Sequence, residues 1–396
     1  MKALFISNDP TIFDATSAAR ARMRTYAVAI GELHILSSAG RGAKEEQDGN
    51  LFLHPVRSWK LFRVRVLAHR AHKLVMKYGI EVVSAQDPFE HGLAALRAVR
   101  GTSATLHIQV HTDFLSPQFV KSGNWRMFGI RMAFLNRYRR KIADHVLPAA
   151  NGIRAVSHRV KNSLIARYGS RISRRGTSEG KPDPDGVPRI KEVSVIPITV
   201  SAEIPPRVQL PPHTFNFALI AVGRLELEKH VEDILTALSL VVKRYPMIGL
   251  FIVGEGREHG RLLQLTQTLN LEKHVVFLGE RTDAWALMGS AQAFIQASAY
   301  EGYGRTLIEA ALARIPIITT DVGIVGEVFK DQTEVLVAPV ADPKALARNI
   351  VRFIEDNRVR QELPTSAAAA AQEHLSSVGD LPTRIFEDLT RASMHS

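Results

Sequence analysis

The 396-residue chain contains no cysteine, which excludes disulfides, thiolate nucleophiles and sulfur-ligated zinc or iron–sulfur sites and fits a reducing compartment. It also lacks any apolar run near the roughly 18 uncharged residues needed to span a bilayer. The N-terminal apolar stretch Ala3–Ile6 is stopped by Ser7-Asn8-Asp9-Pro10, too soon for a signal peptide. A cytoplasmic protein is expected. Aromatic residues are only 7% of the chain, but hydrophobic residues at 45% and charged residues at 23% are ordinary globular values and exclude a disordered or collagen-like chain.

Acidic residues are missing locally. The formal net charge is +12, yet residues 1–200 hold 32 Lys and Arg against 15 Asp and Glu, or +17, which leaves 19 against 24, or −5, for residues 201–396. Between residues 49 and 80 there is no acid, while Arg57, Lys60, Arg63, Arg65, Arg70, Lys73 and Lys77 interleave with Trp59, Leu61, Phe62, Val66 and Leu67. Residues 114–143 repeat the pattern, with Lys121, Arg126, Arg131, Arg137, Arg139, Arg140 and Lys141 among Trp125, Phe128, Phe134 and Tyr138. Basic helices with aromatic residues rest on anionic lipid; alternatively, the aromatics pack inward and the cations are merely solvated. Nucleic acid also answers to basic patches, but no helix-turn-helix, zinc finger or stacking platform is visible, so no nucleic-acid partner is expected.

At this length two cores are expected, because a single core rarely grows past about 250–300 residues. Short β-branched runs alternate with helical stretches, the pattern of βαβ units feeding parallel sheets. In the first half the strands are Ala3–Ile6, Glu32–Leu36, Leu51–Val56, Ile80–Ala85, Thr105–Val110, Gly152–Ala155 and Glu192–Ile196. In the second they are Ala218–Val222, Gly249–Val253, Val275–Leu278, Ala293–Gln296, Ile315–Thr319 and Glu334–Val337. The fold class is α/β, two doubly wound, Rossmann-like domains forming a clamp. The first domain covers 1–197, with a Pro/Gly-rich insertion at 171–189; a proline-stiffened linker covers 198–212. The second domain covers 213–372, and a helical tail, 373–396, returns to the first.

Open α/β sheets bind ligands at the carboxyl edge of their strands. The first strand of the second domain ends in Gly223-Arg224 with Lys229 close behind, placing two cations and a helix start where a diphosphate can be held, or simply a solvated turn. The next strand ends in Gly254-Glu255-Gly256, which leaves room for a ligand against backbone or marks a tight turn. Glu301 follows another strand in a loop, Gly302 and Gly304 leave helix-terminal amides open, and Glu309 sits inside the helix beginning near Arg305. Two carboxylates placed this way reach separate parts of an extended ligand, or are simply a loop charge at Glu301 and a helix-surface glutamate at Glu309. In the first domain, His111 and Asp113 end one strand and Asp87 ends another, as candidates to meet an acceptor hydroxyl; Asp87 is equally suited to capping the next helix. His107, one step inside its strand, is expected to be structural.

Gly223-Arg224 with Lys229, then Gly254-Glu255-Gly256, then Glu301-Gly302-Tyr303-Gly304 with Glu309 eight positions after Glu301, in that order and separation, resemble the donor site of a family 4 retaining glycosyltransferase of GT-B fold, with a group 1 domain in the C-terminal half. The resemblance implies that Arg224 and Lys229 hold the donor diphosphate and assist its departure. It implies that Glu301 holds sugar hydroxyls, that Gly302, Tyr303 and Gly304 offer backbone contacts, that Glu309 binds ribose, and that His111 is the cleft histidine. The two cations would replace a metal, so neither metal nor other cofactor is expected beyond the nucleotide-sugar co-substrate; Asp183-Pro184-Asp185 resembles a metal motif but lies in the insertion without a preceding strand.

The implied activity is transfer of a hexose-type sugar to a glycan or lipid-linked acceptor in cell-envelope polysaccharide or glycolipid synthesis, at the inner face of the plasma membrane. An epimerase or hydrolase on the same fold is the alternative enzyme. A degenerate binding scaffold is the alternative non-enzyme, for which loss of Arg224, Lys229 or a glutamate is expected. Three departures stand out: Asn8-Asp9-Pro10 replaces a frequent Gly-Gly turn and is followed by Arg20, Arg22 and Arg24, His230 stands where glycine is common, and Arg314 stands where a small residue is common.

Overall fold

The computed structural model describes the chain except residues 40–42, 60–61, 122–125, 128–129, 132, 170–189, 202 and 395–396. The insertion at 171–189, with Asp183-Pro184-Asp185, therefore lies outside the described residues, as do Lys60, Leu61, Trp125 and Phe128. Two compact units are present: Met1–Leu115, Gly123–Pro197 and Gly379–Ser396 form the first, and Ser116–Ser122 with Ile198–Val378 the second.

The first unit contains strands β1 (Lys2–Ser7), β2 (Glu32–Ser38), β3 (Glu46–Asp48), β4 (Leu51–Val56), β5 (Val82–Ala85), β6 (Thr105–Val110), a two-residue ribbon of β7 (Arg126–Met127) and β8 (Ile130–Arg131), β9 (Gly152–Ala155) and β10 (Val193–Val195). Its helices are α1 (Ala18–Ile30), α2 (Arg63–Tyr78), α3 (Glu90–Val99), α5 (Ala133–Val146), α6 (His158–Tyr168) and α13 (Leu381–Ser393), while the short α4 (Pro117–Lys121) goes with the second unit. The sheet order is β10-β9-β6-β5-β1-β2-β4-β3, parallel except for the β3–β4 pair. Strands buried on both faces read as continuous apolar runs, and Ala3–Ile6 is such a run. β3 was not expected, since Glu-Gln-Asp has no apolar residue to signal a strand. It is held from the side by Arg20, fully buried in α1, which donates to Asp48 at 2.9 Å and Glu46 at 2.5 Å.

The second unit contains β11 (Phe217–Val222), β12 (Ile248–Val253), β13 (Val275–Gly279), β14 (Ala293–Ile295), β15 (Ile317–Thr320) and β16 (Leu336–Ala338), in the order β13-β12-β11-β14-β15-β16. Its remaining helices are α7 (Val231–Val241), α8 (His259–Thr268), α9 (Ala284–Met288), α10 (Arg305–Leu312), α11 (Pro343–Glu355) and α12 (Asn357–Val378). One face of the sheet is sealed by α7 and α11, whose Ile234, Leu238, Leu346 and Phe353 pack on Leu219, Leu250 and Ile252. On α12, Ala367, Ala368 and Ala371 are buried, and the helix packs against α10.

Residue 373 lies within α12, so the passage out of the second unit falls at Gly379 rather than 373. Helix α13 then supplies Ile385 and Leu389 to the first core. His107, in the middle of β6, accepts or donates between Ser84 Oγ at 2.8 Å and Asp388 of α13 at 3.0 Å, and Arg384 donates to the Val195 carbonyl at 2.9 Å. Burial works to raise the Asp388 carboxyl, but the His107 hydrogen bond and the Arg391 charge hold it below its ordinary value.

Candidate functional site

In each sheet the strand order reverses beside the first strand: β1 lies between β2 and β5, and β11 between β12 and β14. Loops leaving such a switch point diverge, which opens a crevice at the carboxyl edge. The loops after β11 and β14 therefore bound the candidate site of the second unit, and Gly223 through Lys229 and Gln296 through Gly304 occupy them.

Lys229 and Glu301 meet there. Lys229 Nζ lies 2.5 Å from Glu301 Oε1, with both side chains largely buried, and Ser298 Oγ donates to the same carboxylate oxygen at 2.8 Å. A backbone bond from Ala299 N to the Glu228 carbonyl, 2.8 Å, ties the two loops together. Arg224 differs. Its side chain is 75% exposed and, among the described residues, is held by Glu228 at 3.3 Å, so its guanidinium is available to an anion without breaking a buried contact. The turn before α7 is closed by His230 in the left-handed region, φ +46°, with Asp233 3 residues on accepting from its ring at 2.9 Å. That conformation is why glycine suits this position.

The two glycines after β12 have a definite task. A Cβ on Gly254 would lie 2.0 Å from the Gly223 carbonyl oxygen, and one on Gly256 would lie 2.2 Å from that of Leu225. The β12 loop is thus laid backbone to backbone over the β11 loop, joined by Leu225 N to Glu255 O at 2.9 Å and Glu258 N to Leu225 O at 2.9 Å. In this structure both glycines serve chain packing that shapes the Arg224 loop.

Gly304, φ +94°, precedes α10. Tyr303 is buried; its hydroxyl meets His374 Nε2 of α12 at 2.8 Å, and its carbonyl accepts from Ile324 N at 2.9 Å. Its side chain therefore anchors α10 to α12. Glu309 is 6% exposed, its Oε1 accepts from Arg305 Nε at 2.6 Å, and burial raises its carboxyl against the opposing pull of Arg305.

Three residues were missed as site members. Ser298 orients Glu301, Glu228 holds Arg224, and Gln296 lines the same depression as Gly223, Arg224 and Lys229 while its amide oxygen accepts from Thr306 at 2.9 Å. The signal for Gln296 was a lone amide at the end of the apolar run Ala293-Phe294-Ile295.

In the first unit, Asp87 follows β5 at the switch point, accepts from Phe89 N at 2.8 Å and is paired with His91 Nδ1. Burial works to raise its carboxyl, and the His91 bond outweighs that, leaving it below its ordinary value. His111 follows β6; its Nε2 meets Gln109 Oε1 at 3.1 Å, an oxygen that also accepts from the buried Arg154 at 3.2 Å. Burial and the Arg154 charge push His111 down to about 3. It is a neutral imidazole with Nε2–H as donor and Nδ1 as acceptor. Asp113, half-buried, lies two residues further on. Arg20 and Arg24 are engaged with Asp48.

Two parallel-sheet units of this kind, the second with a lysine and a glutamate joined at its switch point, define the GT-B class of α/β protein. Residues 207–374 match the family model "Glycosyl transferases group 1" and residues 26–174 match "Glycosyltransferase Family 4"; the chain belongs to these glycosyltransferases. Glycogen synthase of Mycobacterium tuberculosis is 33% identical over 199 residues, 50% of this chain and 47% of that protein, so the match spans about half of the relative. Sucrose-phosphate synthase of Thermosynechococcus elongatus superposes with TM-score 0.75 at 17% identity, over 98% of this chain and 99% of the other. Anabaena HepE, in a complex with UDP and glucose, superposes with TM-score 0.67 at 19% identity, over 98% and 99%. These two likenesses establish the fold.

Proposed function

We propose that the protein transfers a hexose-type sugar from a nucleoside-diphosphate donor to a hydroxyl of a glycan or lipid-linked acceptor, with retention of anomeric configuration and without a metal, at the inner face of the cell membrane. The observation that carries this reading is the Lys229–Glu301 pair with Arg224 exposed beside it. Cleavage of the donor develops negative charge on the leaving diphosphate and oxocarbenium character on the sugar. Lys229 and Arg224 offset the first and Glu301 holds hydroxyls of the second, so charge stabilisation is built in before reaction. Glu309 accepts from the donor ribose. On the acceptor side, neutral His111 offers a donor at Nε2 or an acceptor at Nδ1, with Asp87 and Asp113 on neighbouring loops. Retention, the absence of a metal and the acceptor class rest on the family resemblance.

A thermal-shift panel with UDP, ADP and GDP tests the donor site, because a ligand at about 100 times its dissociation constant adds about 2.7 kcal/mol. One diphosphate is expected to raise the melting temperature and name the base. No shift with any nucleotide overturns the reading. Release of free sugar from a bound donor, with no product in any hydroxyl acceptor screen, moves the assignment to a hydrolase.

A further inference from the structure

Helices α2, α3 and α5 lie side by side, α3 packing against both of the others. Together they carry ten Lys and Arg against two carboxylates, Glu90 and Asp144. Both carboxylates are already paired, with Arg139 and Arg167. The tertiary fold has therefore brought parts of the two acid-free stretches, 49–80 and 114–143, into one helical layer.

The outer face of α2 is unusual in a second respect. At 100° per residue, Phe62, Arg65, Val66, His69, Lys73, Met76 and Lys77 fall within one 120° arc opposite the packed residues Leu67, Ala71 and Leu74. A surface helix ordinarily turns polar residues outward. Here Phe62 is 51%, Val66 36% and Met76 64% exposed, and Trp59, just before the helix, is 84% exposed. No carboxylate occurs on this arc. The inward-packing alternative for Trp59 and Phe62 is thus excluded by their exposure.

We propose that this outer face of α2 seats the protein on an anionic lipid bilayer, with Trp59, Phe62, Val66 and Met76 entering the interfacial region and Arg65, Lys73 and Lys77 meeting lipid phosphates. The mixed composition selects the occupant. A soluble polyanion needs cations only and leaves exposed Trp, Phe and Met unexplained, whereas a bilayer accepts both. The proposal deepens the membrane-side part of the function reading above and uses none of the donor-site residues.

Flotation of the full-length protein on density gradients tests it, with vesicles of pure phosphatidylcholine and of phosphatidylcholine mixed equally with phosphatidylglycerol. The protein is expected to float with the mixed vesicles only, and less so in high salt, which shortens the Debye length from about 10 Å at 0.1 M to about 3 Å at 1 M. Trp59→Ser with Phe62→Ser, and separately Arg65→Glu with Lys73→Glu, should each lower partitioning about tenfold or more. All four side chains are surface groups, and an unchanged nucleotide thermal shift in both variants verifies folding. Failure to float with mixed vesicles overturns the proposal, as does full binding by the Trp59/Phe62 variant, which assigns the face to a polyanion. A sedimenting dimer that Phe62→Ser returns to monomer overturns it in favour of a second copy. Because nucleotide shift and flotation are read separately, loss of one leaves the other interpretable.

Discussion

Lys229 Nζ and Glu301 Oε1 lie 2.5 Å apart across 72 residues of sequence, one on each of the two loops that diverge from the switch point of the second sheet. Each holds the other in place before any ligand arrives. Preorganisation of this kind lets a site stabilise charge without reorganising at the moment of reaction.

Lys229→Ala should lower kcat by about 10²–10³, the effect of losing one positioned donor, about 2.7–4 kcal/mol. Because it also leaves the largely buried Glu301 without its cation, with only the Ser298 hydroxyl still donating to that oxygen, the melting temperature should fall. Steady-state kinetics with the nucleotide sugar named by the thermal-shift panel decide this, and a variant with wild-type turnover would falsify the placement of the diphosphate.

Glu309→Gln should separate binding from stability. The carboxyl is raised by burial, so its ionised form disfavours the folded chain at neutral pH, and the amide removes that cost. Donor affinity should drop about tenfold or more, the range for a hydrogen bond to a charged group, while the melting temperature holds or rises. Calorimetric titration and a melting curve on the same sample check both signs; weaker stability with unchanged affinity contradicts them.

A buried histidine pair should make the first unit acid-sensitive. His34 Nδ1 lies 2.9 Å from His54 Nε2, and His34 Nε2 lies 2.9 Å from Glu32. Burial lowers both rings, His54 to about 4. Protons therefore bind the unfolded chain first, so stability is present above about pH 6.5 and declines as pH falls below it toward the lowered values of the pair. His54→Gln keeps a donor toward His34 but cannot titrate. Urea midpoints measured across this window should slope less in the variant.

Loss of Asp388 should loosen α13. Asp388→Ala leaves the His107 ring nitrogen buried without its partner, at about 1–3 kcal/mol, and urea denaturation should record a lower midpoint. The Asp388 carboxyl is held below its ordinary value, so its contribution is present above about pH 4 and disappears as pH falls through the lowered value. Wild type and variant should converge in acid.

Arg314→Gly should stabilise the protein by about 0.5–1 kcal/mol, since Arg314 holds φ +56°, a region unfavourable to side chains with a Cβ. Thermal melting reads this directly. A lower melting temperature means that the exposed guanidinium makes a contact worth more than the strain.

Much of the architecture was legible because buried parallel strands announce themselves as apolar runs: every strand expected from the sequence is found within two residues at either end. β3 was invisible, because Glu46-Gln47-Asp48 becomes a strand through Arg20, a partner 26 residues away from Glu46. The donor-site types were legible as well, since cations, carboxylates and glycines at fixed spacing are a local property. Their packing partners were not. Gly254 and Gly256 read as space for a ligand or as a tight turn, and the neighbours that occupy their Cβ positions, the backbone of the loop from Gly223 to Leu225, lie some 30 residues away in sequence. Tyr303 reads as a backbone contact, and the structure adds that its ring is held by His374.

The sequence by itself determined the alternation of strands and helices, the family, and the cations and carboxylates of the second half, because each is written in short-range pattern. Only the tertiary structure decided which of them touch. Lys229 meets Glu301 because strand order reverses between β11 and β14, a non-local event. Val66 and Met76 face outward because the opposite side of α2 is taken by Leu67, Ala71 and Leu74, and helical periodicity alone left open which face the core would claim.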